Sequence, residues 1–127
     1  MEVTSPNYPN MYGPNINCSW SFVSEDGDRK IQLTFEDFSV GPGKQGSCIG
    51  DFLQVDDPES GTFEHYCEYS AVHGIPIRSK GNNLTIKFHS NEINEDKGFK
   101  LLYKTIGNYT RINCTSKISY VESIRIK

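Results

Sequence analysis

Apolar residues return at every second position in five separate stretches of the chain. Cys18, Trp20 and Phe22 share one face, as do Ile31, Leu33 and Phe35; the pattern recurs at Leu53 and Val55, at Leu84, Ile86 and Phe88, and at Phe99, Leu101 and Tyr103. Successive side chains of a strand point to opposite faces, so each stretch predicts a half-buried β-strand with one apolar side. Polar, turn-forming segments separate the strands at 24–28, 41–47, 56–61, 80–82 and 91–97. No stretch keeps a helical period. Two amphipathic sheets can hide their apolar faces only against each other, so the chain is expected to be all-β, an antiparallel β-sandwich, with a barrel as the alternative closure.

The flanks read differently. The first 17 residues carry Pro6, Pro9 and Pro14, and proline removes a ladder donor. An ordered edge loop pinned by Tyr8 and Tyr12 is expected there, not a central strand. After Tyr103 the composition loosens. Residues 1–104 are read as the sandwich domain, and 105–127 as a C-terminal extension or linker. Alternation resumes at the end with Val121, Ile124 and Ile126, either as an extra edge strand or as the start of another domain.

Composition narrows the class. The 127 residues suit one domain with a lean core, 35% hydrophobic. Val, Ile, Thr, Tyr, Phe and Trp far outnumber Ala, Leu and Met, which favours strands over helices. Thirteen basic against 16 acidic residues leave a net charge of −3 with no long basic run, so nucleic acid is not an expected partner. The apolar runs fall far short of the roughly 20 residues needed to span a bilayer, and the opening residues hold no signal-peptide core. No membrane insertion by this segment is expected.

Cysteines and sequons set the compartment. Cys18, Cys48, Cys67 and Cys114 are widely spaced with no C-x-x-C, which favours disulfides over a zinc or thioredoxin-like site. Glycosylation acceptors occur at Asn17, Asn83, Asn108 and Asn113, where ten asparagines would give roughly 1.6 by chance. Both signals point to a secreted protein or the extracellular face of a membrane protein. Asn17 and Asn113 each precede a cysteine, and a rapidly formed disulfide would hide them, so Asn83 and Asn108 are the better acceptors.

Several patterns look chemical and are not. Gly41-Pro42-Gly43-Lys44-Gln45-Gly46 fits G-x-G-x-x-G, but a strand and not a helix follows it, so it is a turn. His65, His73 and His89 lack the nucleophile elbow or metal-binding helix that would make them catalytic. No catalytic residue is assigned, and no enzymatic activity is expected of these 127 residues.

The order of segments closely resembles the CUB domain, an extracellular β-sandwich module of complement proteases, astacin-like proteases, growth-factor precursors and receptor ectodomains. The resemblance spans about residues 3–104 and rests on Ser5-Pro6-Asn7-Tyr8-Pro9 with Tyr12, Cys18-Ser19-Trp20, and the run from Ile31 to Phe38. It continues through Cys48-Ile49-Gly50-Asp51-Phe52, Tyr66-Cys67, the run from Leu84 to Asn91, and Gly98-Phe99-Lys100-Leu101-Leu102-Tyr103. It implies a CUB-like jelly roll in which Cys48 pairs with Cys67. Closing a loop of about 20 residues can contribute roughly 3 kcal/mol. The family's first cysteine lies upstream of the Ser-Pro-Asn-Tyr-Pro segment and pairs at the position of Cys18, so this chain reads as shortened at its N-terminus. Cys114 is then one partner for Cys18; a partner chain, or a longer parent protein, accounts for the leftover pair as well. Glu68 stands where the family usually has glycine.

The resemblance also implies a calcium site, here degenerate. Its remnant positions are Tyr12, Asp51, Asn91 and Asn94, while the family's glutamate falls within Gly41-Pro42-Gly43 and its second aspartate is Asn91. One carboxylate in place of three leaves room only for weak Ca2+ binding, unless Glu92, Glu95 or Asp96 swings in. No cofactor is called for. The function implied is a non-catalytic, extracellular protein–protein recognition module whose protein ligand meets the tip at Tyr12, Asp51, Asn91 and Glu92. The alternatives are a substrate-positioning domain of a secreted protease whose catalytic domain lies elsewhere, and a glycan-binding module.

Overall fold

The computed structural model describes residues 2–24, 30–41, 48, 50–68, 76–92 and 96–104, together with the backbone of 119–126. Nine strands follow one another among them: β1 (Glu2–Thr4), β2 (Asn17–Ser24), β3 (Gln32–Ser39), β4 (Phe52–Asp57), β5 (Thr62–Tyr66), β6 (Ile77–Arg78), β7 (Asn83–His89), β8 (Gly98–Lys104) and β9 (Ser119–Ile126). They form a four-stranded sheet in the order β1-β8-β3-β6 and a five-stranded sheet in the order β5-β4-β7-β2-β9. The chain is an all-β sandwich, as the period-two pattern predicts.

All five expected strands are present, and each apolar face points inward. Trp20, Phe22, Leu33, Phe35, Leu53, Leu84, Ile86, Phe88, Phe99 and Leu101 are at most 2% exposed. Rings lock the two layers together: Trp20 meets Phe99 edge-on at 5.9 Å, and Phe88 meets the same ring at 5.4 Å. Edge-to-face pairs add about 0.5–1.5 kcal/mol beyond the area they bury. A bulge between Phe35 and Asp37 shifts the register of β3 on β8, which returns Phe38 to the core although it lies three positions after Phe35.

The structure adds an edge strand that the pattern does not announce and pairs the C-terminal alternation with the sandwich. Glu2–Thr4 is a three-residue edge strand on β8, so the proline-rich loop begins only at Ser5. Tyr8 anchors that loop by donating to Asp37 Oδ2 at 2.6 Å, and Lys97 closes on the same carboxylate at 2.5 Å. Ser119–Ile126 runs parallel to β2, with Cys18 opposite Tyr120, while the other described strand pairs are antiparallel. Gly98 has φ +93°, and a Cβ there would lie 1.9 Å from Ser5 Oγ, so only glycine lets β8 start against the loop.

Candidate functional site

One end of the sandwich gathers the residues the sequence singles out. Tyr12 lies in the loop before β2, Asp51 just before β4, and Asn91 just after β7. The Tyr12 ring packs edge-on against Phe88 at 4.9 Å, which carries its hydroxyl toward Asp51. That hydroxyl donates to Asp51 Oδ2 and lies 3.3 Å from the Gly41 carbonyl oxygen. The backbone N–H of Asn91 donates to Asp51 Oδ1 at 2.7 Å. A single carboxylate therefore ties three chain segments together.

Serine hydroxyls brace the same end. Ser90 Oγ accepts from the Ile16 N–H and donates to the Gly13 carbonyl, both at 2.9 Å. Ser5 Oγ accepts from the Phe99 N–H at 3.0 Å. Asp96 joins them: its carbonyl accepts from the Tyr12 N–H at 3.0 Å, and its Oδ1 from Ser39 Oγ at 2.8 Å. Sequence reasoning passed over Ser5, Ser39 and Ser90. Their only signal is a position at or beyond a strand end, where a hydroxyl satisfies backbone groups that the ladder leaves open.

Burial decides the electrostatics. Tyr12 is 1% and Asp51 0% exposed. Burial pushes the Tyr12 hydroxyl well above the usual phenol range, and its bond to Asp51 adds to the shift. Burial likewise holds the Asp51 carboxyl above the usual carboxylate range, outweighing the hydrogen bonds from Tyr12 and Asn91 that pull it down. Around this pair the surface is accessible: Met11 is 61% exposed, and Glu92 is exposed beside the half-buried Asn91. Met11 was not singled out by sequence; a lone methionine next to a tyrosine carries no pattern.

The described residues do not fit a calcium ion. The cation takes about six to eight oxygens and wants several carboxylates. Asp51 spends both oxygens on protein donors, and Asp96 Oδ1 is held by Ser39 and the Lys97 N–H. Among the described residues, no three His, Cys, Asp or Glu side chains come together. Asn94 and Glu95 lie outside the described residues.

The cysteines and sequons sort in the same way. Cys48 and Cys67 form a disulfide, with Cα atoms 5.7 Å apart. Glu68 follows it with φ +61° and bridges to Val40, a left-handed conformation that explains why glycine suits this position. Cys18 is also disulfide-bonded; Cys114 lies outside the described residues, with Asn108 and Asn113. Asn83 is half-buried at the start of β7, and the exposed Asn17 Oδ1 accepts from His89 Nδ1 at 2.9 Å. Among the described residues, no helix is long and apolar enough to cross a membrane.

A two-layer sandwich, a disulfide on the loop side of β4 and β5, and a braced, largely apolar-backed tip together define an extracellular-type β-module. The chain belongs to the CUB domain family, whose sequence model matches residues 1–103. It is 34% identical to rat (Rattus norvegicus) cubilin over 106 residues, covering 81% of this chain and 3% of cubilin. It is 34% identical to pig (Sus scrofa) complement C1s subcomponent over 103 residues, covering 80% of this chain and 15% of that protein. Mouse (Mus musculus) platelet-derived growth factor C is 33% identical over 108 residues, 83% of this chain and 31% of the relative. Among solved structures, the full extracellular region of zebrafish Gpr126/Adgrg6 superposes with a TM-score of 0.74 at 30% identity, covering 82% of this chain and 13% of that one. The MASP-1 CUB2 domain bound to Ca2+ gives 0.71 at 26% identity, covering 82% and 90%. The chain thus spans a small part of the curated relatives it matches. CUB domains are modules of extracellular proteins, generally non-catalytic and typically engaged in protein–protein contact.

Proposed function

We propose that this chain is a non-catalytic recognition module of a secreted or cell-surface protein, and that it meets a protein ligand through the tip around Tyr12, Asp51, Asn91 and Glu92. The observation that carries the reading is the buried Asp51 carboxylate, which binds the Tyr12 loop and the Asn91 turn to one rigid frame. Loops held on a stiff scaffold are where binding residues concentrate, because ordering them costs little on association. Asp51 and Tyr12 act as positioning residues. Exposed Met11 and Glu92 supply the contact, an apolar anchor beside an acidic group suited to a basic partner residue. Similarity to complement C1s subcomponent supports a second reading, in which the module presents substrates to a protease domain elsewhere in the parent protein.

The test is an arrayed library of secreted proteins and receptor ectodomains probed with the full chain. A binder whose signal falls at least tenfold with Met11→Ser and Glu92→Lys supports the tip. A ligand unaffected by both substitutions overturns it, as does a chain that recognises only glycans on a parallel array.

A further inference from the structure

Strand β5 stands at one edge of the five-stranded sheet, with β4 on its inner side and no described strand on the other. Thr62, Phe63, Glu64 and His65 are all exposed, and Phe63 is 60% exposed. An edge strand offers a row of open N–H and C=O groups, and natural sheets commonly blunt such edges with lysine, proline or a bulge. β5 contains none of these: its register on β4 is unbroken from Leu53↔Tyr66 to Asp57↔Thr62.

The register also sets what lies on the solvent face. Phe63 stands opposite Asp56, and His65 opposite Gln54. From Phe63 a row of rings crosses the sheet, reaching His65 at 5.4 Å, Phe52 at 4.6 Å from His65, and His89 at 5.2 Å from Phe52. A shallow groove of about 390 Å3 opens beside Phe63, walled by Asp56, Asp57, Thr62, Thr85 and Lys87.

Carboxylates predominate along this edge. From Phe52 to Ile77 the chain contains no Lys or Arg, yet it carries Asp56, Asp57, Glu59, Glu64 and Glu68. Lys87, on β7, pairs with Asp56 at 3.3 Å, and Asp57 is held by the N–H groups of Glu59 and Lys80. Exposed Glu59 and Glu64 have no ion pair among the described residues. An open strand edge, an exposed ring and uncompensated carboxylates are the components that an extended cationic segment requires: backbone pairing for affinity, a ring face for a cation, and charge for orientation.

We propose that the β5 edge is a second interaction surface, separate from the tip, and that it takes an extended Arg- or Lys-bearing segment of a partner protein as an added strand. The partner's backbone pairs with Thr62–Tyr66, one cation lies over the Phe63 ring, and a cation on the opposite face of the added strand meets Glu64.

The experiment titrates the 15N-labelled full chain with the capped peptide Thr-Arg-Arg-Val-Arg-Arg-Val-Thr, which carries arginines on both faces of an extended strand. Two controls run beside it: the same peptide with glutamate for arginine, and the arginine peptide methylated on alternate backbone nitrogens. The expected result is a set of shifts and slowed amide exchange confined to β5 and its ring neighbours. Affinity falls at least tenfold with Phe63→Ala, several-fold with Glu64→Gln, and at least tenfold with the methylated peptide. Melting temperatures confirm that both variants stay folded. Absence of binding at millimolar peptide overturns the proposal. So does equal binding of the methylated peptide, which would mean diffuse charge attraction, or shifts centred on Met11 and Glu92, which would place the peptide at the tip.

Discussion

The tip and the β4–β5 hairpin invert the usual placement of polar and apolar groups. At the tip an acid and a phenol are sealed away, Asp51 at 0% and Tyr12 at 1% exposure, while at the hairpin a phenylalanine stands 60% in water. The reason for the first inversion is visible in the bonds: both Asp51 oxygens are satisfied by protein donors, so burial is tolerated and the carboxylate works as a joint. No comparable internal duty explains Phe63, whose side is solvent and whose strand ends the sheet. Polar groups at the tip thus hold the fold, and apolar surface at the hairpin lies in solvent.

Removing the joint is the strongest way to break the comparison. Asp51→Ala removes the main acceptor of the buried Tyr12 hydroxyl and the carboxylate that receives the half-buried Asn91 N–H. Each unsatisfied buried donor costs about 1–3 kcal/mol, so the variant should lose about 2–5 kcal/mol and roughly 10 °C in Tm. Thermal melts followed by circular dichroism measure this directly. A loss below about 0.5 kcal/mol would mean that water replaces the carboxylate at no cost and that the tip is not sealed.

A finer test sets Asp51 against Asp37. Burial raises the Asp51 pKa, so its contribution to stability is full below the unfolded carboxylate value, roughly 4, and is lost as pH rises through the higher folded value. The hydrogen bond from Lys97, with that from Tyr8, lowers the Asp37 pKa; its contribution is present above the unfolded value and is lost as pH falls through the folded one. Urea midpoints of Asp51→Asn and Asp37→Asn, each compared with the parent from neutral pH down through the carboxylate range, should therefore diverge in opposite directions. The Asp37 effect is the smaller, since Lys97 is half-exposed and screened by solvent. Parallel slopes would remove the distinction between a buried joint and a surface clasp.

What the amino-acid pattern revealed follows the same division. Strands with a buried side were legible because Trp20, Leu33, Leu53, Ile86 and Leu101 must face inward, and period two records that demand. β5 was missed because Thr62-Phe63-Glu64-His65-Tyr66 has no core face to write into the sequence: its phenylalanine points outward and only Tyr66 leans on the core. β1 and β6 are too short to show a period. At the tip, Tyr12 and Asp51 were found through family resemblance. The role of Asp96 was not, because it depends on a loop carrying its carbonyl to the Tyr12 N–H across a long sequence separation. Pairing of Ser119–Ile126 with β2 was one of two readings its alternation allowed, and no local pattern chooses between them.

The smallest expected change is the most discriminating. Phe63 is largely hydrated in the folded chain, so Phe63→Ala forfeits little buried area and should shift stability by no more than about 0.5 kcal/mol. Most of what it does lose is its contact with His65, itself exposed. A buried ring such as Phe99, at 0% exposure, would instead cost about 3–5 kcal/mol on the same truncation. Paired denaturant melts of the two variants therefore measure whether Phe63 belongs to the core or to the surface. If Phe63→Ala costs more than about 2 kcal/mol, the ring row is a structural brace, and the apolar surface at the hairpin is already in use by the fold. If it costs almost nothing, selection for folding does not account for a phenylalanine in water at an acidic strand edge, and the explanation must lie in something that binds there.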